Sequence, residues 1–494
     1  FLNVSGDADL LAACHRCFAS LYTDRAIKYR VDHGFDHLSV AVSVGVQRMV
    51  RSDLACAGVG FTVEPETGNA NVIVLTGAWG LGENVVQGAV TPDQFTVFKG
   101  ALRQALPRGI VARSCGAKEK TMTYAPPGAP SPVVNHDTPP ERRAVLVLDD
   151  AEVLRLAAWC LRIEEHYGRP MDIEWAKDGL TGDIHIVQAR PETVHAGDRM
   201  RGLGRVFTLG KRGQVLAQGV SVGGGIAVGR ARRLESPAES ARLLPGEILV
   251  TGITNPDWDP IMKRAGAIVT DKGGRTSHAA IVARELGLTA LVGTGNATAA
   301  VPDGAEVTVS CAEGETGYVY AGSLPFSVAD LSGTAWPRPR THAMLILGDP
   351  SAAFRHARLP CDGVGLLRLE FAISGAIRVH PVALARWDQV PPGPDRDAIE
   401  TLTRGHADKS AYFVEKLAEA VATIAAAFYP REVIVRMSDF KSNEYAGLLG
   451  GRMFEPQEEN PMIGFRGASR YSHPDYRDGF RLECLAMRRV REDM

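Results

Sequence analysis

The sequence predicts a multidomain α/β protein, and three observations predict it. Its 494 residues suggest about three domains. Apolar strand-like runs alternate with amphipathic helix-like runs along the chain. Two polar stretches holding Gly and Pro break that alternation and read as linkers. The expected units are residues 1–194, 206–324 and 342–494, joined by linkers at 195–205 and 325–341.

Composition removes other classes. With 55 Lys+Arg against 57 Asp+Glu the formal net charge is −2, so there is no global basic field for nucleic acid or anionic lipid. No apolar run approaches the ~18 residues of a membrane span. The eight cysteines are scattered and no export signal precedes them, which reads as a cytosolic protein with reduced thiols. Cys14 and Cys17 have CxxC spacing but no second ligand pair, and with Leu10, Leu11, Phe18 and Leu21 they suit one helix face. They are expected to be structural thiols.

In the first unit, Val72-Ile73-Val74-Leu75 is a buried-strand candidate, and residues 151–167 place Val153, Leu154, Ala157, Ala158, Leu161 and Ile163 at helical spacing. The Pro-rich stretch from Pro126 to Pro140 is expected to be a surface loop. The second unit has strand candidates at 247–250, 267–270 and 307–310, with a helix between the last two. The third shows strand candidates at 345–347 and 363–367, a helix from Ala411 to Phe428 and a strand at 433–435, the alternation of a parallel sheet or barrel.

The sharpest local signal is Gly273-Gly274-Arg275-Thr276-Ser277-His278, followed by Ala279 to Leu286 and then Gly287. Two glycines permit a tight turn after a strand. Thr276 or Ser277 can cap the helix that follows, and Gly287 is a natural residue just past its end. His278 then sits in the first helical turn. A phosphoryl group on its imidazole would face free backbone N–H groups and the positive helix end, with Arg275 as a counter-charge. A lone histidine would more simply pack or cap; the whole run favours a nucleophilic phosphocarrier.

This run resembles the phosphohistidine domain of the PEP-utilising enzymes, which interconvert phosphoenolpyruvate and pyruvate. The resemblance extends over nearly the whole chain. In the first unit it is carried by Ser52-Asp53-Leu54-Ala55-Cys56-Ala57-Gly58-Val59-Gly60-Phe61, Trp79-Gly80-Leu81-Gly82-Glu83 with Gly88, and the pair of runs Gly168 to Trp175 and Ile186 to Thr193. Period two sets Asp172 and Glu174 on one strand face and Gln188 and Arg190 together on the neighbouring strand. The bland alternative is a solvated hairpin. The family match implies the C-terminal part of an ATP-grasp domain, in which Glu174 binds Mg²⁺ with ATP, Gln188 contacts the nucleotide, and Asp172 and Arg190 assist.

In the third unit, Gly363-Val364-Gly365-Leu366-Leu367-Arg368-Leu369-Glu370-Phe371 and Val433-Ile434-Val435-Arg436-Met437-Ser438-Asp439-Phe440 each end an apolar strand on an arginine. C-terminal strand ends build the active site of a (β/α)8 barrel, and two guanidinium forks suit a small dianion. A surface salt bridge at each arginine is the alternative. Lys441 to Tyr445 and Glu459 to Gly467 extend the resemblance, which implies that Arg368 and Arg436 bind pyruvate or phosphoenolpyruvate, helped by Arg466.

The reaction implied is ATP + pyruvate + water → AMP + phosphoenolpyruvate + phosphate. ATP passes a pyrophosphoryl group to His278, water removes the outer phosphate, and the middle domain swivels on its linkers to the barrel. There Mg²⁺ and the arginines would stabilise the pyruvate enolate. The phosphate-using branch of the family is the nearest alternative, set aside because Glu370 is followed by Phe371-Ala372-Ile373 rather than His-Met. The chain opens on Phe1 and stops at Met494 inside a helix-like run. The expectation is a fragment lacking the front of its nucleotide domain and the back of its barrel, with the barrel metal ligands and an acid–base Cys. Such a fragment would be inactive in the overall reaction, or a non-catalytic remnant binding ATP or a partner protein. A homo-oligomer, a dimer, is expected of the full-length protein; no regulatory kinase or phosphatase is readable.

Overall fold

Apolar β-rich runs organise each unit of the computed structural model, which describes residues 1–126, 129–192, 205–275, 277–330, 339–406, 408–460 and 462–494. Residues 195–204 of the first expected linker and 331–338 of the second, together with Thr193, Thr276 and Pro461, lie outside the described residues. Near the N-terminus α1 (Asp7–Ala19) carries Cys14 and Cys17 as free, half-buried thiols.

The first unit is a six-stranded antiparallel sheet: β1 (Cys56–Phe61), β2 (Val72–Trp79), β3 (Asp93–Phe98), β4 (Ile110–Ser114), β7 (Met171–Lys177) and β8 (Ile184–Pro191), in the order β4-β3-β2-β1-β7-β8. One face is closed by α2 (Asp150–Tyr167), which Asp149 and Glu152 start with a capping box and Gly168 ends in the left-handed conformation. Ile73, Leu75, Phe95, Val97, Ile173 and Trp175 pack there on Val153, Leu156, Ala157 and Cys160. Each such side chain contributes about 1.5–3 kcal/mol by leaving water.

A separate hairpin, β5 (Lys120–Tyr124) with β6 (Val133–Asp137), occupies part of the stretch expected to be a surface loop. Val133 and Val134 supply β-branched residues between the flanking prolines, and these pair where the composition had suggested only a turn.

The second unit is a closed barrel of seven strands: β10 (Val215–Val222), β11 (Ile226–Arg233), β12 (Ile248–Thr251), β13 (Ala267–Thr270), β14 (Thr289–Val292), β15 (Glu306–Ser310) and β16 (Thr316–Ala321). The circuit runs β10-β14-β13-β12-β11-β15-β16 and back to β10. β11, β12, β13 and β14 are parallel neighbours; the remaining pairs are antiparallel. Helix α3 (His278–Leu286) lies between β13 and β14 and buries Ala279, Ala280 and Ala283. Beside the barrel β9 (Arg205–Leu209) pairs with β17 (Phe326–Asp330), so residues 326–330, within the expected second linker, form a strand.

The third unit holds three parallel strands, β18 (Met344–Leu347), β19 (Gly363–Arg368) and β20 (Glu432–Arg436), in that spatial order. Helix α4 (Lys409–Phe428) is apolar over most of its surface because it is covered twice. Phe413, Leu417, Val421 and Ile424 face their own unit's core. Ala422 and Ala426 meet Val72, Val74 and Val111 on the second face of the first sheet. Thr423 Oγ1 donates to Val111 O at 2.8 Å, and Asn71 Nδ2 to Ala426 O at 3.0 Å. α5 (Arg477–Asp493) packs along α4. Among the described residues, no helix is long and apolar enough to cross a membrane.

Candidate functional site

The parallel pair β12–β13 builds the first centre. Both strands end at the same edge of the barrel, Thr251 opposite Thr270. The loops that follow them therefore emerge side by side, and they bring Thr254 and Asp259 to His278. His278 is the first residue of α3, as its sequence context predicts. Its Nδ1 lies 3.1 Å from Thr254 Oγ1 and its Nε2 2.9 Å from Asp259 Oδ1. The Asp259 contact is electrostatic, because Asp259 Oδ1 accepts no hydrogen bond from a described residue, and the Thr254 hydroxyl can pair with Nδ1 in either tautomer of the ring. The imidazole side chain is 13% exposed, open enough for a reagent to reach.

Ser277 occupies the N-cap position, but its hydroxyl makes no capping bond and is buried without a partner among the described residues. Gly273, at φ +106°, makes the turn expected of it. Arg275 is ion-paired with Glu315 at 2.9 Å, and Gly287 closes the helix in the left-handed conformation.

The phosphohistidine-type loop rests on the first unit. A Cβ built on Gly88 would lie 2.4 Å from Ser277 Cβ, so glycine is required for this approach. On the other end of α3, Arg284 bonds Glu66 through Nε at 3.0 Å and through Nη2. Gly223 N–H also donates to Glu66, at 3.3 Å. Burial pushes the Glu66 carboxyl up, but the Arg284 charge and hydrogen bonds outweigh it and hold Glu66 below the usual range.

The second centre lies on β7 and β8. In register, Asp172 stands opposite Arg190 and Glu174 opposite Gln188, so the four side chains share one face. Arg190 bridges Asp172, with Nε 2.8 Å from Oδ2. Glu174 is half-buried and makes no hydrogen bond or ion pair with a described residue. Burial, then the neighbouring Asp172 charge, raise its carboxyl above the ordinary value. Gln188 and Arg190 are exposed at the sheet edge. Across the sheet Phe61 and Val59 stand opposite Asp172 and Glu174 on this same face, where Val85 and Val90 cover them. Those two residues flank Gly88, so the carboxylates and His278 lie on the same side of the sheet.

The third centre is at the C-terminal ends of β19 and β20, where Arg368 stands directly opposite Arg436. Arg436 Nη2 bonds Glu370, which also accepts Asp439 N–H at 3.1 Å. Arg466 grips Asp439 through Nη2 at 3.0 Å and Nε at 3.3 Å. Arg368 has no carboxylate partner among the described residues, and its Nε is buried and unbonded. Three guanidinium groups against two carboxylates leave one positive charge for an anion. Buried polar atoms on Arg368, Arg436 and Glu370 without partners are what a polar ligand would satisfy. From behind, the buried Glu483 accepts Ser438 N–H at 3.1 Å, Ser438 O–H at 2.5 Å and Tyr476 O–H at 2.7 Å.

Three family models account for most of the chain. Residues 1–202 match the pyruvate phosphate dikinase AMP/ATP-binding domain, 243–314 the PEP-utilising enzyme mobile domain, and 334–494 the PEP-utilising enzyme PEP-binding domain. The chain belongs to the PEP-utilising enzymes. Phosphoenolpyruvate synthases of Escherichia coli and of Deinococcus radiodurans are each 52% identical to it over its whole length, and that of Synechocystis 50%. The chain spans 62% of the first two relatives and 61% of the third. As a PEP-utilising enzyme it carries the family's order of nucleotide-binding, mobile and PEP-binding domains.

Sequence reasoning missed Thr254, Asp259, Glu66, Arg284 and Glu483. Only the first two left a trace, a polar loop directly after a short apolar strand. The others act across units or from a helix whose charge pattern reads as a solvated face.

Proposed function

We propose that the complete protein is a phosphoenolpyruvate synthase, converting ATP, pyruvate and water to AMP, phosphoenolpyruvate and phosphate through phospho-His278. One observation carries this reading: His278, oriented by Thr254 and Asp259, stands at a helix start pressed against Gly88, on the sheet side that bears Glu174 and Asp172. The names of the relatives point to the same reaction.

On this reading residues 1–194 are an ATP-grasp portion and 342–494 a portion of a (β/α)8 barrel, with 206–324 shuttling between them. Glu174 and Gln188 would hold ATP, with Asp172 fixed by Arg190. The ring of His278 gains positive charge as its N–P bond forms, and Asp259 is placed to compensate it. Arg275 and the first N–H groups of α3 then face the phosphoryl oxygens. In the barrel portion Arg368 and Arg436 would orient the carboxylate and enolate oxygens of the three-carbon substrate, and Arg466 holds Asp439 in place.

Mg²⁺ fits the nucleotide site, because Glu174 is an oxygen donor with no partner among the described residues, and its charge is already disfavoured by its surroundings. Bound beside the phosphates, the ion would neutralise their charge. A cytoplasmic location is proposed from the scatter of the eight cysteines along the sequence.

ATP labelled at the β-phosphate tests the reading. The complete protein should acquire acid-labile label, lose it to pyruvate, and release phosphate. Stable labelling of His278→Ala, or consumption of phosphate during turnover, would overturn the assignment.

A further inference from the structure

Apart from all three centres, one thiol and one amine are held against each other. Lys118 is fully buried, and its Nζ lies 3.2 Å from Cys115 Sγ. The same Nζ donates to Gly116 O at 2.9 Å and forms an ion pair with the buried Asp93. Cys115 is exposed and free.

The backbone fixes this approach. Asp93 Oδ1 accepts Gly116 N–H at 2.8 Å, Asp93 Oδ2 accepts Val147 N–H at 2.8 Å, and Lys118 N–H donates to Thr91 O at 2.9 Å. A Cβ on Gly116 would strike Pro92 O at 2.2 Å, so the turn lies directly against residues 91–92, where only glycine fits. Lys118 takes a positive φ of 43° to turn back on Cys115.

Cys115 Sγ is exposed, so an oxidant can reach it, and the Lys118 ammonium stands against it. A sulfenic acid made there would meet a nitrogen already in position. Held so, the two groups react as one molecule, with no encounter to wait for.

We propose that Cys115 and Lys118 form a reversible sulfenamide cross-link when the protein meets hydrogen peroxide. Cys115 sulfur gives two electrons to peroxide; the O–O bond breaks, an S–O bond forms, and one water leaves. The Lys118 ammonium passes a proton to Asp93. Burial raises the Asp93 carboxyl, against the pull of Lys118, which makes it a better acceptor. The free amine attacks sulfur, an S–N bond replaces the S–O bond, and the departing hydroxide takes the second amine proton as water. The sum is thiol + amine + H₂O₂ → S–N bridge + 2 H₂O. Two external thiols reverse it by taking the sulfur back to Cys115.

Trypsin reads the product directly. Arg113, Lys118 and Lys120 are successive cleavage points, and a bridged Lys118 is no longer cut. Peroxide treatment of the complete, folded protein, followed by alkylation and digestion, should give Ser114–Lys120 as one peptide lacking two hydrogens. Dithiothreitol before digestion should restore cleavage at Lys118. In Cys115→Ser, cleavage should be normal throughout, and urea-unfolded protein should not form the bridge. Sulfinic acid on Cys115 with Lys118 still cut would overturn the proposal. So would a two-hydrogen loss with Lys118 still cut, which places the bond on a backbone nitrogen, and so would equal yield from unfolded protein.

Discussion

Asp259 and Thr254 stand against opposite nitrogens of one imidazole, and on the proposed reaction this pair, at the scale of single residues, governs how readily His278 takes a phosphoryl group. Asp259→Asn keeps the shape but removes the negative charge that offsets the forming phosphoimidazolium. Partners of this kind change activity by roughly 10–100-fold. Label transfer from ATP to His278 in Asp259→Asn should slow by that order, with ATP affinity unchanged. An unchanged transfer rate would remove Asp259 from the mechanism. His278 itself was legible in the sequence because its glycine turn, capping position and small-residue helix are local. Its partners were not legible, since they arrive through the parallel pairing of β12 with β13.

At the scale of elements, the parallel strands of the third unit depend on buried polar support. Glu483 offers acceptors to the Ser438 amide, the Ser438 hydroxyl and Tyr476, all donors, and burial raises its carboxyl above the ordinary value. Glu483→Gln turns one acceptor into a donor facing a donor. The loss should be about 1–3 kcal/mol, read as faster amide exchange along residues 433–440. Exchange equal to that of the parent protein would show that the network does not hold β20.

His380 gives a pH test on the same unit. Its Nδ1 accepts Val382 N–H at 3.2 Å, so Nε2–H donates to Glu455 at 2.9 Å, and Arg470 bonds the same carboxylate. Burial lowers the His380 value, opposed by Glu455 and reinforced by Arg470. The unfolded chain therefore binds this proton first as pH falls. Stability should decline below the ordinary histidine value of about 6.5, by at most about 1.4 kcal/mol per pH unit, down to the lower folded value. Urea unfolding between pH 5 and pH 8 should show this slope, and His380→Asn should flatten it. An equal slope in that variant would assign the effect elsewhere.

Legibility at this scale followed composition. The helices α2 and α4 were readable from their apolar composition and, for α2, its spacing. β11 was not, because Arg230, Arg232 and Arg233 mask its period, Arg232 being paired with Glu247 and Asp303, which lie outside the strand. Without β11 the closure of the barrel could not be anticipated.

For the whole molecule, the decisive contacts cross units and leave no pattern in any one segment. Glu66 and Arg284 lie 218 residues apart, yet their ion pair is mostly shielded from water, with 17% and 6% of the side chains exposed. It clamps the C-terminal part of α3 to the first unit, as Gly88 against Ser277 clamps its start. On the proposed swivel the middle unit would have to break both contacts to leave, so both would belong to the nucleotide-facing position alone. Removing one partner of a buried pair leaves the other charge uncompensated, about 3–5 kcal/mol when nothing relaxes. Undocking returns Arg284 to water and offsets part of that. We therefore expect Glu66→Gln to slow phosphorylation of His278 by ATP at least about tenfold, equivalent to ~1.4 kcal/mol of docking free energy. Phosphorylation of His278 by phosphoenolpyruvate should keep its rate or gain. Gly88→Ala should act in the same direction through its Cβ alone. The Glu66 contribution is complete above the ordinary carboxylate value of about 4.3 and fades as pH falls through its lower docked value, so acid should reproduce the variant. Equal slowing of both half-reactions in Glu66→Gln would mean that the pair stabilises the fold and does not select a position.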